Sequence, residues 1–306
     1  MIWGDEKRLC LLYALTPIHA GAGQALKAVD LPIQRERHTA WPMVQASGIK
    51  GALRDWCEKA WKQNGIDEDL VDRIFGPREI REGEAWAGAI TVTDARLLFF
   101  PVRSNVAPFV HVTCPSVIKR FQEDLALLEF EFFPEKAHPG QDEFLPLCGK
   151  FPEKLILEDM IAEKKNKEGK EENFSNWLQE NVLDVKLAAL VSDEVFGYLV
   201  RTATEVQAHI AIDDATGTVD EKKGGLRYQE YLPADSILYF LAFFSEDRKP
   251  DNSCKKEGMR LLPNDVANLV MQAVSTHLQI GGDFTLGKGI CKVNWIESNT
   301  SAGGEK

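Results

Sequence analysis

Apolar residues run without a break from residue 9 to residue 15 and stop at Thr16-Pro17, the pattern of a buried first strand. A loop holding Gly21 and Gly23 leads into a polar stretch. Ile49, Leu53, Cys57, Ala60 and Trp61 then recur at helical spacing. Ser47 is the predicted N-cap of that helix and Gly65 its stop, with Lys50, Arg54 and Lys62 off the apolar face, toward solvent. Residues 89–100 carry the β-branched and aromatic residues of a strand, closed by Pro101. Cys114-Pro115 opens a helix running to about Leu128, with the proline in its first turn.

Farther on, "EKKNKEGKEEN" (163–173) reads as a solvated loop. Residues 204–231 alternate apolar and polar around "DATG" and "KKGG", which predicts a β-hairpin with a polar tip. A second amphipathic helix is predicted over 266–280, before the glycine-rich "GGDFTLGKG" and the strand "ICKVNWI". No internal repeat is visible. Strand–helix–strand, an interrupted middle and a final helix–glycine loop–strand predict an α+β fold with a ferredoxin-like core and insertions.

At 306 residues and 44% hydrophobic the chain suits one large domain or two small ones. No apolar run reaches membrane-spanning length, and the run at 9–15 is short and preceded by Asp5 and Glu6, so a cytoplasmic protein is expected. The six cysteines are scattered without a CxxC pair, which fits reduced thiols and argues against a structural zinc site. A net charge of −11 argues against a free-standing nucleic-acid binder. Residues 1–60 nevertheless hold eight Lys/Arg against six Asp/Glu, a local surplus of two positive charges. That surplus reads either as a solvated face or as a phosphate-binding face within a larger assembly.

The candidate chemistry is sparse. "GDFTLGKG" (282–289) departs from a nucleotide-binding P-loop at Gly289, where a hydroxyl residue is required, and the 17 residues that follow leave no room for an NTPase core. What remains is a tight turn, or a loop presenting backbone N–H groups and Lys288 to a phosphodiester. His19 in "IHAGAG" reads as a loop histidine or a catalyst, and Asp30 as a surface charge or a chemical group. Trp41, His38 and the neighbouring cations supply the stacking and charge of single-strand RNA recognition, though Trp41 before Pro42 reads equally as a core anchor.

Together these stretches resemble a known family. "TPIHAGAG…VDLPIQRERHTAWPMVQASGIKGALRD", "RIFGP", "AGAITVTDARLLFFPVRS", "VTCPSVIKRF", "TEVQAHIAIDDATGTV", "YQEYLP" and "GGDFTLGKG" are similar, in order, to the RAMP-superfamily backbone subunit of type III-B CRISPR (Cmr) effector complexes. The resemblance implies a modified ferredoxin-like (RRM-like) palm within a single domain over 1–298. It also implies a thumb hairpin at about 204–231, and residues 299–306 are left as a flexible tail. Copies of the chain stack along a guide CRISPR RNA with other Cmr subunits, and target single-stranded RNA is cut with a divalent metal, Mg or Mn. The alternative within the same class is a non-catalytic guide-RNA scaffold; outside it stands a metabolic hydrolase using His19 and Asp30. Carried over residue by residue, the implied catalytic groups are Asp30, His19, Glu230 and Tyr231, with Asp30 the metal ligand. The implied RNA-binding residues are Arg35, Arg37, His38, Lys50, Arg54 and Lys288. At one position the chain departs from the family's pattern: two adjacent acids are expected before the tyrosine, and the chain reads Gln229-Glu230.

Overall fold

The computed structural model describes residues 4–25, 28–65, 69–78, 85–130, 138–165, 172–182, 185–213, 215–219, 226–249 and 260–297. The predicted first strand is β1 (Glu6–Ala14). It is followed by β2 (Met43–Val44), α1 (Ala46–Gln63), α2 (Asp69–Phe75), β3 (Ile90–Val92) and β4 (Ala95–Val102). A middle section holds β5 (Val110–Thr113), α3 (Pro115–Leu127), β6 (Glu143–Cys148), β7 (Lys154–Leu157), β8 (Met160–Lys164), α4 (Glu172–Asn181), β9 (Ala188–Leu190) and α5 (Asp193–Thr202). The chain then forms β10 (Glu205–His209), β11 (Arg227–Tyr231), β12 (Ile237–Phe244), α6 (Pro263–Ala273), β13 (His277–Gln279) and β14 (Ile290–Glu297).

Twelve of the described strands make one mixed sheet in the order β13-β14-β1-β12-β4-β5-β9-β6-β8-β7, with β2 on β4 and β3 on β12. The fold is α+β. β12, "ILYFLAFF", is buried at every position because its two faces are both covered. Neighbouring residues point to opposite faces. Tyr239 packs its ring 4.7 Å from Phe121 of α3. Phe240 meets Trp295 at 5.7 Å, whose indole N–H donates to the Val274 carbonyl just past α6. Trp56 of α1 donates to the next carbonyl back, Ala273, so α1 and α6 lie on that same face. Among the described residues no helix is long and apolar enough to cross a membrane.

Several predicted boundaries move, each for a local reason. The strand expected over 89–100 is two strands, parted at Thr93-Asp94. Asp94 turns away to accept the Ala46 N–H at 2.7 Å, so it satisfies the start of α1, and Ser47 lies inside the first turn instead of capping it. Gly65 does follow the helix, at φ 69°. Pro101 does not end β4. Its partner His111 directs its own N–H to Leu187 on the far side, so no ladder bond is lost at the proline. The helix expected over 266–280 ends at Ala273, and 277–279 is a strand on β14. The expected loop at 163–173 is strand at Glu163 and Lys164 and helix from Glu172; its centre, like the "KKGG" turn and the tail, lies outside the described residues.

The hairpin is present as β10 and β11, antiparallel with Glu205 opposite Tyr231 and His209 opposite Arg227. Toward the tip Ile212 and Val219 still bridge. Val206, Ile210, Ile212, Val219 and Leu226 are exposed, so this ribbon stands off the core.

Candidate functional site

β11 is the strand on which the site is assembled. Its backbone holds both limbs of the first loop: Leu232 exchanges hydrogen bonds with Ile18 at 2.9 and 2.8 Å, and Glu230 N–H donates to the Leu31 carbonyl at 3.0 Å. Asp30 docks one residue earlier. Its N–H donates to Tyr228 O at 3.0 Å, and its Oδ2 accepts Tyr228 N–H at 2.7 Å. The carboxylate is half-buried at the root of the hairpin.

Glu230 points the other way from its neighbours on β11 and is buried. Its Oε1 accepts from Arg35 at 2.6 Å and from Thr204 at 2.8 Å, while Oε2 accepts Ile33 N–H at 3.1 Å. Arg35 also donates to the carbonyls of Ala40 and Val200. Both carboxylate oxygens are thus engaged in holding the segment that follows Asp30 to the hairpin root.

His19 is buried, and its Nδ1 lies 2.8 Å from the Glu230 carbonyl. A carbonyl only accepts, so Nδ1 carries the proton and in the neutral ring Nε2 keeps the lone pair. The ring packs between glycines. A Cβ on Gly21 would stand 2.9 Å from Nε2, and one on Gly282 would stand 3.4 Å from Cδ2. Tyr231 lies alongside, ring centroids 5.5 Å apart. Its hydroxyl donates to Asp283 at 2.9 Å and lies 3.1 Å from His209 Nε2. Burial and the adjacent Asp283 carboxylate push the Tyr231 hydroxyl well above the usual tyrosine range, so it stays protonated. The Lys288 ammonium sits over the tyrosine ring, 4.6 Å from its centre, and donates to Gln207 at 3.2 Å.

Asp30, His19, Glu230, Tyr231, Arg35 and Lys288 are therefore brought to one strand, although they come from distant parts of the chain. Arg37 and His38 are exposed on the turn between Arg35 and Pro42. That turn is held from behind by Arg120, which donates to both Glu36 oxygens at 2.8 Å and stacks 4.8 Å from the Trp41 ring centre. Burial works against ionisation of Glu36, but hydrogen bonds from Arg120 and Thr39 outweigh it and hold the carboxyl below the usual range.

Lys50 and Arg54 do not belong to this site, and neither side chain is free in solvent as the helical pattern predicts. Lys50 is half-buried and donates to the Ile90 carbonyl; burial first, then Arg54 and Arg248, lowers its pKa. Arg54 donates to Gly76 O at 2.6 Å and to Asp72 at 2.5 Å. Asp72, Gly76 and Ile90 take up the two cations on the flank of α1. Much of the early positive charge is thus engaged inside the fold: Arg35 on Glu230, Arg54 on Asp72. Reversal of Arg54 to Glu should for that reason destabilise the isolated chain by about 2 kcal/mol, since it sets a carboxylate against Asp72 and a carbonyl. A urea midpoint unchanged from wild type would refute that clamp.

Asp283 was not among the residues the sequence pointed to, yet it bonds both Gln229 and Tyr231. Its one sequence signal is its place after Gly281-Gly282, where a left-handed backbone is tolerated by Asp. Among the described residues no three His, Cys, Asp or Glu side chains converge as metal ligands. Asp30 offers a half-buried carboxylate on the loop that docks on β11. A single carboxylate suits a hydrated magnesium or manganese ion, not a caged one.

The family model for the RAMP superfamily matches residues 11–292. The CRISPR system Cmr endoribonuclease Cmr4 of Pyrococcus furiosus is 36% identical over 309 aligned residues, with 95% of this chain and 96% of that protein covered. The crystal structure of oligomeric Cmr4 from Pyrococcus furiosus aligns with a TM-score of 0.69 at 29% identity, over 96% of this chain and 99% of that one. A chain of the type III-B Cmr-beta complex bound to cognate target RNA aligns with a TM-score of 0.70 at 18% identity, over 96% and 98%, a likeness of fold.

Proposed function

The chain belongs to the RAMP superfamily and, within it, to the Cmr4 family, and from that we propose that it is a backbone subunit of a type III-B Cmr complex that binds guide RNA and cuts complementary target RNA. The observation that carries this reading is the convergence on β11 of the Asp30 loop, His19 and the root of a ribbon that stands off the core. The strand order β14-β1-β12-β4, with α1 and α6 on one face, supports a ferredoxin-like palm within a single domain, and β10–β11 a thumb. The oligomeric crystal structure of Cmr4 from Pyrococcus furiosus supports stacking of copies along the guide.

RNA brings its own nucleophile: the 2′-oxygen bonds to the adjacent phosphorus, giving a cyclic phosphate, and the P–O5′ bond breaks, with water supplying a proton to the leaving 5′-oxygen. The chain must therefore hold the strand in line, take up the 2′-hydroxyl proton and offset charge on the phosphate. Asp30 is the group for the proton, or for holding a divalent ion. Bound there, such an ion would stabilise negative charge on the scissile phosphate. His19 in its Nδ1–H form has no proton to give at Nε2. Its part is to fix the Glu230 backbone, and it acts as an acid only when the ring is protonated. Glu230 ties the Asp30 loop down through Arg35 and Ile33. Tyr231 holds the glycine-rich turn, and Lys288 offers charge beside it. Arg37 presents exposed charge and His38 an exposed ring to RNA phosphate, and base pairing with the guide supplies sequence specificity.

The test is a guide-loaded complex reconstituted with this subunit and given labelled target. Cleavage at regular intervals, lost on chelation and restored by magnesium or manganese, is expected. A correctly assembled complex that binds target and never cuts would move the chain to the scaffold role. The ribbon is tested separately: shortening it between Ile210 and Leu226 should leave a soluble palm while abolishing the regular spacing. Aggregation of the shortened chain would show that the ribbon is part of the core.

A further inference from the structure

β11 has two working faces. The face of Glu230 holds the Asp30 loop, as described. Gln229 and Tyr231, one residue either side, point to the opposite face and meet the glycine-rich turn at 281–289. There Asp283 adopts a left-handed conformation at φ 57°, and its Oδ2 accepts hydrogen bonds from the Gln229 amide and the Tyr231 hydroxyl. Gln229 is 3% exposed and Tyr231 is fully buried, so both donors are committed to this one oxygen.

Building on the cleavage reading above, we propose that Asp283 and Gln229 are positioning residues for that reaction, forming a clasp that fixes Tyr231 and the hairpin root against the glycine-rich turn. In this chain the clasp pairs one acid with one amide. An ionised carboxylate only accepts, and Asp283 faces two donors. A carboxylate at 229 would bring a second acceptor against the same oxygen in a buried setting, and the turn would have to shift or one acid take up a proton. Asp283 acts through Tyr231, which packs on His19.

The test compares Gln229→Glu, Asp283→Asn and the double variant in the guide-loaded complex, by single-turnover cleavage at saturating target. Gln229→Glu should slow cleavage about tenfold when Asp283 is intact. In the Asp283→Asn background the same change should slow it only about two- to threefold, because the introduced amide can donate to the new acid. Target affinity should stay within about twofold throughout. In the isolated chain, amide exchange over 281–289 should speed up in Gln229→Glu and return toward wild type in the double variant. An equal loss in both backgrounds would mean that Gln229 acts on RNA directly, and no loss would mean it does not act; either overturns the clasp. A wild-type complex that does not cut would overturn the cleavage reading instead, and the exchange comparison would still decide the clasp, which unchanged exchange in Gln229→Glu would sink.

Discussion

Replacing Asp30 by Asn should leave the chain folded, assembled and bound to target while cleavage falls by about two orders of magnitude or more. The geometry makes the two effects separable. Asp30 Oδ2 accepts the Tyr228 N–H at 2.7 Å, and an asparagine carbonyl can keep that bond. What Asn lacks is the charge that takes a proton or holds a divalent ion. Asp30→Ala removes the anchor as well, so it should loosen the hairpin root in addition to stopping the reaction. Single-turnover cleavage and equilibrium target binding, measured side by side, check this. Full cleavage by the Asn variant would end the chemical role of Asp30, and failure to assemble would make it a structural residue.

Glu230→Ala should cost the isolated chain about 3 kcal/mol in denaturant unfolding, the range for removing one partner of a largely buried ion pair. It strands Arg35, Thr204 and the Ile33 N–H together. The guanidinium's share of that cost should vanish when Arg35 is already Met, leaving only that of Thr204 and the Ile33 N–H. Cleavage should fall along with stability, since the Asp30 loop loses its tether. If Glu230→Ala kept wild-type stability and still failed to cut, Glu230 would be acting on the RNA itself.

How much of this could be read from the chain differs by element. The first strand, the helix opened by Cys114-Pro115 and the hairpin were legible because each depends on nearby residues: an apolar run, a proline at a helix start, an alternation between turns. The split at Thr93-Asp94 was not, because Asp94 leaves the strand to satisfy a helix start 48 positions away. The fate of Lys50 and Arg54 was hidden for a similar reason. A helical pattern shows which side faces the core, but not that later residues will bond the cations on its flank. Among the site residues, His19 and Asp30 stood out by type and place as well as by resemblance, Glu230 by resemblance alone, and only the fold shows that both Glu230 carboxylate oxygens are bonded. Asp283 is an ordinary loop aspartate until β11 supplies its two donors.

The order in which the chain is made gives β11 a further consequence. His19 and its partner on that strand are 211 positions apart, and Asp30 and its partner 198. During synthesis the loop bearing His19 and Asp30 leaves the ribosome early and has nothing to dock on. Its seat is completed only when residues 283–288 emerge and close over Tyr231. Contacts so distant in sequence form late, after the loop-closure cost of the intervening chain has been met. A copy terminated before residue 283 therefore lacks the finished seat for His19 and Asp30, however well its N-terminal part folds.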